Sequence, residues 1–494
     1  MNNKPRLRLA PSPTGFLHLG NFRTALFAYL LAKHWEGEFI LRIEDTDNKR
    51  EVEGAVDSLL KVLHIMGISF AEGPHIGGQY APYIQSQRLD LYKKHAHQLV
   101  EDGKAYYCFA TPEELETMRQ EQTAAHLPPR YDRRYRNIPL PEAKQKIADG
   151  QKYVIRQAMP LEGSVTVHDE LRGDIIFQAS ELEDHVLLKS DGWPTYQLAS
   201  VVDDHEMNIT HVTRGDEWLP SLPKNILLYQ AFNWEPPRFI HFPLILNKVG
   251  GGKLSKRQGD VFVESYLSQG YLPEALINFC ALLGWHPKDE KELFTLAELE
   301  KTFDLNGIGT SPAIFDDEKL DYVNGFYIRQ KSVDELLPLT MPFFEPLLIE
   351  VPALKNTPEF LKSVLALEQP RLKKLADITK STSFFFQSKL EYDPALLVWK
   401  KSTPEEIINN LSELSSFFEK ISSNQWTKDN LETLTIEYLK STNKQLGNYL
   451  WPLRVSLSGQ KASPGPFEIA GVLGKDETLA KITQAIGLKS QNVL

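Results

Sequence analysis

The sequence predicts an α/β protein whose first half contains a parallel sheet and whose last third is helical. A succession of strand, turn, helix and strand opens the chain, and this order joins parallel strands in proteins. Beyond about residue 265, helix-capping sequences and apolar stripes of helical period replace the strand-like runs. A chain of 494 residues is long enough for about three to five domains.

The opening succession also predicts where a ligand binds. Residues 6–10 alternate polar and apolar side chains as a strand does, and the proline- and glycine-containing residues 11–15 end the run. Residues 21–34 repeat apolar side chains at helical spacing, and residues 39–43 form a second strand-like run. Ligands of parallel sheets bind where the carboxyl end of a strand meets the next helix, so we expect a site near residues 11–21.

The segment from about residue 100 to 190 has a different pattern. Thr111-Pro-Glu-Glu114 has the composition of a helix start, and strand-like runs lie around Val154 and Val186. We interpret this segment as an insertion into the first domain. The chain then returns to strand, helix and strand at residues 209–213, 222–232 and 240–246.

The last third contains repeated helix signals. Capping boxes at 295–298 and 403–406 predict helix starts. The second is followed by an apolar stripe formed by Ile407, Ile408, Leu411, Leu414, Phe418 and Ile421. We interpret the stripe as core packing. Five prolines between residues 337 and 358 predict a linker.

Composition excludes several classes of protein. Hydrophobic residues make up 42% and charged residues 24% of the chain, which is ordinary for a globular protein. The net charge of −10 excludes a non-specific nucleic-acid coat, although a local basic patch can still bind nucleic acid. Cys108 and Cys280 are too few for a disulfide framework. The start of the chain has neither a signal-peptide pattern nor a membrane-spanning stretch, so we expect a cytoplasmic protein without a membrane partner.

Two segments carry residue types that bind polyphosphate. In residues 8–21, two glycines flank the predicted turn, His18 adds a hydrogen-bond donor, and the helix start aims N–H groups at the same space. Residues 248–257 contain three glycines and four cations, but Leu254 stands where a Walker A loop requires Ser or Thr. Taken alone, each segment also fits a structural role, as a turn-capping histidine or a solvated basic loop.

Together these segments resemble the His-Ile-Gly-His and Lys-Met-Ser-Lys-Ser signatures of class I aminoacyl-tRNA synthetases. The motifs between and after them are similar in order and spacing to those of the glutamyl-tRNA synthetase family, and they cover nearly the whole chain. They lie at residues 42–47, 193–199, 201–205, 214–218, 315–328, 451–454 and 463–467. Each motif is weak alone, but the set in register is specific.

The resemblance implies a domain order. A Rossmann-type catalytic domain, residues 1–100 and 196–265, is interrupted by an inserted α+β acceptor-end-binding domain, residues 101–195. A helical stem-contact domain follows at 266–330, and an all-helical anticodon-binding region at 331–494. Glutaminyl and eukaryotic glutamyl enzymes carry β-barrels in that last region instead.

The resemblance also implies an activity and its residues. Glutamate is activated by ATP and transferred to the 3′-terminal adenosine of tRNA-Glu, and charging of tRNA-Gln stays open. The implied catalytic residues are His18, Gly20, Asn21, Lys253 and Lys256. The implied amino-acid pocket comprises Arg8, Ala10, Ser12, Glu44, Tyr196 and Arg214. The implied ATP contacts are His18, Gly20, Glu217, Trp218, Ile245, Ser255 and Lys256.

The remaining expectations concern metals, tRNA and assembly. Mg²⁺ is expected on the phosphates of ATP. No structural zinc is expected, because Cys108 lacks the Cys-x-Cys and Cys-x-His partners of some relatives. The candidate tRNA patch, whose alternative is a solvated loop balanced by Asp132, consists of Arg130, Arg133, Arg134 and Arg136 with interleaved tyrosines. Ser200 stands where many relatives have Asn and is assigned no contact. We expect a monomer.

Two other functions stay open at this point. One is a truncated relative that glutamylates a modified base of tRNA-Asp, against which the long chain after Leu337 argues. The other is a nucleotide-binding RNA chaperone or regulator without catalysis. That function would require broken signature segments, whereas His18, Gly20, Lys253 and Lys256 are all present.

Overall fold

The computed structural model describes residues 4–47, 52–248, 251–252, 261–349 and 351–491. The chain forms two compact units, residues 1–266 with 276–317 and residues 267–275 with 318–494. The described strands are β1 Arg6–Leu9, β2 Glu38–Leu41, β3 Ala105–Cys108, β4 Val154–Gln157, β5 Ser164–Asp169, β6 Gly173–Gln178, β7 Val186–Leu188, β8 His211–Gly215, β9 Arg238–Phe242, β10 Ile245–Asn247 and β11 Ala313–Phe315.

The described helices lie in both units. They are α1 Leu19–His34, α2 Ala55–Ile65, α3 Leu89–Glu101, α4 Pro112–Ala124, α5 Leu140–Ala148, α6 Tyr196–Glu206, α7 Leu222–Ala231, α8 Val263–Ser268, α9 Pro273–Ala281, α10 Leu296–Thr302, α11 Asp317–Gln330, α12 Val333–Phe344, α13 Pro358–Glu368, α14 Asp377–Phe386, α15 Pro404–Glu419, α16 Lys428–Ser441, α17 Leu446–Ser458, α18 Pro466–Leu473 and α19 Lys475–Gln491. Among the described helices, none has both the length and the apolar character needed to cross a membrane.

The first unit is built on a six-stranded sheet of order β2-β1-β8-β9-β5-β6. Its first five strands pair in parallel, and β6 pairs antiparallel with β5. The predicted α/β fold is therefore confirmed, including the opening strand, helix and strand. The predicted single strand at 240–246 is wrong, because the chain leaves the sheet at Pro243, which has no N–H for a ladder. There β9 ends, and β10 pairs with β11 instead.

The segment after residue 100 contributes to two sheets. Strands β3, β4 and β7 form a separate antiparallel sheet, whose buried side chains include Tyr107, Ile155 and Leu187. The hairpin β5–β6 instead extends the main sheet, with Asp169 in register with Phe239 of β9. The end of β5 thereby comes to lie beside the strands that carry the site.

The second unit is helical. Helix α15 opens with the predicted capping box, in which Thr403 and Glu406 bond to each other's backbone N–H groups. The predicted stripe of α15 is buried at Ile407, Leu411 and Leu414 and is packed against α17 and α19. These residues confirm the interpretation of the stripe as core.

The predicted linker at 337–358 is wrong over its first part, because α12 runs through Pro338 and Pro342. Both prolines lie on the exposed face, where the carbonyls left without an N–H partner can bond to water. On the opposite face, Leu336, Thr340 and Phe344 are fully buried. Their apolar packing and a capping box at the helix start outweigh the two missing hydrogen bonds.

Candidate active site

A cleft of about 520 Å³ lies at the carboxyl ends of β1 and β8, beside the start of α1. This is the place where parallel sheets bind ligands. Of the predicted site residues, the cleft brings together Arg8, Ala10, Ser12, His18, Gly20, Asn21, Glu44, Tyr196, Arg214, Glu217, Trp218 and Ile245. Lys253, Ser255 and Lys256 lie outside the described residues.

His18 is the N-cap of α1. Its Nδ1 accepts a hydrogen bond of 3.0 Å from the backbone N–H of Gly20, so the proton of the neutral ring is on Nε2. A side chain at Gly20 would place its Cβ 3.3 Å from Nδ1 and press on the ring. The first turn of α1 contains no acidic residue, so the positive end of the helix dipole is not screened by one. The turn is suited to hold an anion.

The described part of the second glycine-rich segment lies at the end of β10. The backbone N–H of Asn247 donates to the carbonyl of Gly252 at 2.9 Å. Gly251 has a φ of +62°, a conformation that glycine adopts easily. Lys248 bonds to both carboxylate oxygens of Asp316 at 3.0 Å. This cation is therefore held by the protein.

A buried network of charges supports one side of the cleft. Nε and Nη2 of Arg8 bond to the two carboxylate oxygens of Asp204 at 2.9 and 3.2 Å. Nη1 of Arg42 lies 2.8 Å from Oδ1 of the same carboxylate, and Nη2 of Arg42 donates to Oε1 of Glu44 at 2.9 Å. All four side chains are at most 5% exposed. Arg8 and Glu44, which line the cleft, are therefore already paired.

The network continues behind Asp204 through its neighbour on α6. Asp203 is fully buried and accepts hydrogen bonds from Arg88 at 2.8 Å, Gln85 at 2.9 Å and Tyr92 at 2.7 Å. Nε of Arg42 lies 3.7 Å from it. The two aspartates thus tie α6 to the ends of both opening strands.

Burial and pairing act in opposite directions on the pKa values of this network. Burial raises the pKa of Glu44, although Arg42 and Arg8 oppose the rise. Burial alone would also raise the pKa of Asp204, but the two arginines outweigh it and the pKa is lowered. Asp204 is accordingly a carboxylate that holds two cations.

Arg214 lies on the other side of the cleft in a different environment. It is in register with His241 on the neighbouring strand, and its Nε donates to Nε2 of His241 at 2.9 Å. Nδ1 of His241 lies 2.7 Å from Oδ2 of Asp169, and both residues are fully buried. Nη1 of Arg214 is 3.5 Å from the hydroxyl of Tyr196. Within the described part of the chain, Nη2 of Arg214 is buried and has no hydrogen-bond partner.

An aromatic pair closes the same side. The rings of Tyr196 and Trp218 are 4.7 Å apart and inclined by 35°. Trp218 is 39% exposed, so part of its side chain is accessible to a ligand. Its position confirms that it lines the cleft, and its contact with adenosine stays a prediction.

Two arginines of the predicted tRNA patch are bound within the protein. Arg133 and Arg136 both bond to the carboxylate of Asp184 at 3.0 Å, and this aspartate is fully buried. Tyr106 donates to the same carboxylate at 2.9 Å. These guanidinium groups therefore fix the fold of the insertion, and a role in tRNA binding stays a prediction.

The other two arginines of the patch have partners on its surface. Arg130 donates to the carbonyl of Ser180 at 2.8 Å. Arg134 pairs with Asp132 at 2.7 Å and is 38% exposed in its side chain. The predicted balance of the loop by Asp132 is therefore present.

Cys108 lies in the separate antiparallel sheet. Its Sγ is 3.2 Å from the hydroxyl of Tyr131, and both side chains are buried. The guanidinium of Arg156 lies 3.9 Å from the centre of the Tyr131 ring. Among the described residues, no group of three or more His, Cys, Asp or Glu side chains could hold a metal ion.

Comparison with known proteins assigns the class. Residues 4–322 match the family of class I tRNA synthetases (E and Q), catalytic domain, and residues 335–486 match an anticodon binding domain. The chain is thus a class I aminoacyl-tRNA synthetase.

Full-length relatives narrow the assignment. Glutamate–tRNA ligases of Clostridium botulinum and Clostridium kluyveri are 45% identical over 485 residues and 44% identical over 486 residues, with 98% of each chain covered. A crystal structure of a glutamate tRNA ligase from Elizabethkingia meningosepticum in complex with its amino acid has a TM-score of 0.88 at 37% identity and covers 98% of this chain and 99% of that chain. The chain belongs to the glutamate–tRNA ligase family, as the sequence motifs predicted.

Sequence reasoning assigned no role to several residues that support the cleft. Arg42, Asp203 and Asp204 lie in the motifs that carried the resemblance, and their charge directly after apolar residues was the available signal. Asp169 and His241 had no such signal, because a single histidine or aspartate at the end of a strand is common. Their relation to Arg214 comes from strand pairing across the sheet.

Proposed function

We propose that this protein activates L-glutamate with ATP and transfers the glutamyl group to the 3′-terminal adenosine of tRNA-Glu in the cleft described above. The observation that carries this proposal is Arg214, which lines the cleft and whose buried Nη2 has no partner among the described residues. A buried guanidinium nitrogen without an acceptor is costly, and a substrate carboxylate would satisfy it.

The cleft offers complementary groups for the side-chain carboxylate and the ammonium group of glutamate. Arg214 binds the side-chain carboxylate, and Tyr196 supplies a hydroxyl beside it. The carboxylate of Glu44 binds the ammonium group. Arg42 donates to Oε1 of Glu44 and so fixes the orientation of this carboxylate. Arg8 lines the same cleft but is paired with Asp204, so its role is to hold the residues of the pocket in position.

The first step is an in-line attack by the α-carboxylate of glutamate on the α-phosphorus of ATP. A C–O–P bond forms, the bond to the β-phosphate oxygen breaks, and pyrophosphate leaves. The nucleophile comes with the substrate, so the protein has to position the reactants and stabilise charge on the phosphates. The Nε2–H of His18 and the backbone N–H groups at the start of α1 donate to the phosphates. Lys253 and Lys256 add positive charge. Mg²⁺ enters with ATP as part of that substrate.

In the second step, a ribose hydroxyl of the terminal adenosine attacks the activated carbonyl. An ester bond forms, AMP leaves with the bonding electron pair, and the proton of the hydroxyl passes to the departing phosphate. The match of residues 335–486 to an anticodon binding domain supports a full tRNA substrate and argues against the truncated relative that modifies tRNA-Asp. Charging of tRNA-Gln, the monomeric state and the cytoplasmic location stay predictions.

The experiment is aminoacylation of purified tRNA-Glu and tRNA-Gln, side by side, with radiolabelled glutamate. We expect labelled tRNA-Glu, and ATP–pyrophosphate exchange that depends on glutamate when tRNA is present. Exchange supported by glutamine but not by glutamate would overturn the proposal. Nucleotide binding with neither exchange nor labelling would instead support the RNA chaperone or regulator.

A further inference from the structure

Arg214, His241 and Asp169 form a chain of hydrogen bonds, called the relay below, that ends at the cleft. The three residues come from adjacent strands β8, β9 and β5, so the pairing of the sheet sets their spacing. Asp169 also receives the backbone N–H groups of His241, Leu171 and Arg172 at 3.0 to 3.1 Å. The far end of the relay is therefore fixed by the backbone.

The hydrogen bonds determine the tautomer of His241. Arginine is only a donor, so Nε2 of His241 must accept from it and Nδ1 must carry the proton that Asp169 accepts. The ring is neutral in this arrangement. Burial lowers its pKa, and although Asp169 opposes this effect, the nearby Arg214 adds to it. Asp216, the other acid near the ring, is paired with Arg172 at 2.6 Å.

The choice of acceptor has a consequence for the charge of Arg214. Among the described residues, no carboxylate bonds to this guanidinium, whereas Arg8 is bonded by both oxygens of Asp204. A carboxylate in place of the imidazole would fix Arg214 equally well but would neutralise it. A neutral acceptor fixes the group and leaves its charge to the ligand.

We propose that His241 and Asp169 are positioning residues for substrate selection, in which a neutral imidazole orients Arg214 without neutralising it, so that the cleft prefers a side chain with a carboxylate over its amide. This inference rests on the proposed function, because it assigns the glutamate side chain to Arg214. Neither residue has to touch the substrate. Their effect passes through the guanidinium, which only a negatively charged side chain satisfies fully.

A matched pair of variants at one position tests the inference. His241→Gln places a neutral amide oxygen near the position of Nε2, and His241→Glu places a carboxylate of the same length there. We expect His241→Gln to raise the KM for glutamate several-fold and His241→Glu to raise it about thirtyfold more, the size of one charged hydrogen bond. The KM for ATP and kcat should change little. The ratio of kcat/KM for glutamate over glutamine should fall only with His241→Glu.

The measurement is ATP–pyrophosphate exchange of the full chain with tRNA present, after circular dichroism has shown that each variant is folded. Equal changes of the glutamate KM in the two variants would overturn the inference, because a packing role does not distinguish charge. Arg214→Met separates a failure of the proposed function from a failure of this inference. If Arg214→Met keeps the original KM for glutamate, the assignment of Arg214 in the proposed function is wrong. If Arg214→Met raises that KM but the two His241 variants change it equally, only the role of the relay is wrong.

A second comparison covers the case in which His241→Glu does not fold. Asp169→Asn should raise the KM for glutamate, because it weakens the hold on the His241 tautomer. The same change on the His241→Gln background should raise it much less, since Gln has no Nδ1–H for Asp169 to accept. An undiminished effect on that background would contradict the relay.

Discussion

The two sides of the cleft hold an arginine in opposite ways. Arg8 is bonded by both oxygens of Asp204, whereas Arg214 is bonded by the neutral ring of His241. The first arrangement cancels the charge and ties two strands to a helix. The second fixes the guanidinium and leaves its charge available. Buried arginines in one cleft can thus be paired with a carboxylate on one side and with a neutral ring on the other.

The largest effect is expected from removing the carboxylate that pairs with Arg8. Asp204→Ala removes the carboxylate shared by Arg8 and Arg42 and leaves the buried Arg8 without its carboxylate partner. We expect the free energy of unfolding of the first unit to fall by about 3–5 kcal/mol, the usual cost of removing one member of a buried ion pair. Urea unfolding followed by circular dichroism measures it.

Asp132→Ala is the control for this prediction, since Asp132 pairs with Arg134 near the surface. An exposed pair contributes roughly 0–1 kcal/mol, so this control should unfold close to the unaltered protein. A loss for Asp204→Ala no larger than that of the control would show that the network does not stabilise the fold.

The second-largest effect is expected from a change of Arg214, the arginine that is not paired with a carboxylate. Arg214→Met removes the charge while keeping much of the side-chain volume. We expect kcat/KM for glutamate to fall by about ten- to a hundredfold, because charged hydrogen bonds contribute roughly 1.5–3 kcal/mol each. Since this arginine neutralises no buried carboxylate directly, stability should fall by only about 1 kcal/mol. Steady-state ATP–pyrophosphate exchange measures kcat/KM, and urea unfolding of the same preparation measures stability. A loss of stability as large as that of Asp204→Ala would contradict the difference between the two sides of the cleft.

The smallest effect concerns pH. Burial lowers the pKa of His241 below its ordinary value of 6.5, so the unfolded chain binds a proton at this position before the folded chain does. The stability that the neutral ring contributes is complete above pH 6.5 and is lost as the pH falls below it. At about pH 5.5 the loss reaches at most roughly 1.4 kcal/mol.

His241→Gln should therefore lose less stability than the unaltered protein between about pH 7.5 and 5.5. Urea unfolding at both pH values measures the difference, in which the other histidines cancel because both proteins contain them. Parallel pH profiles would mean that His241 titrates alike in the folded and unfolded chains and that the ring is not held neutral.

The sequence predicted local features well where neighbouring residues decide them. The capping boxes at Thr295 and Thr403 and the helix start at Thr111 form as expected, because their hydrogen bonds join residues three apart. The predicted linker failed for the opposite reason. The prolines of α12 were visible, but the buried face that outweighs them depends on packing with other helices.

By itself, the sequence determined the family, the parallel sheet and most of the predicted residues that line the cleft. Motifs and helix or strand periods made this possible, because they involve residues that are close together in the chain. Only the tertiary structure decided which arginine is paired with a carboxylate and which with a neutral ring. Arg8 and Arg214 are the same residue type at the ends of neighbouring strands, and their difference lies in partners nearly 200 residues from Arg8 and 27 from Arg214 along the chain. Strand pairing and burial bring those partners into contact, and no local pattern encodes them.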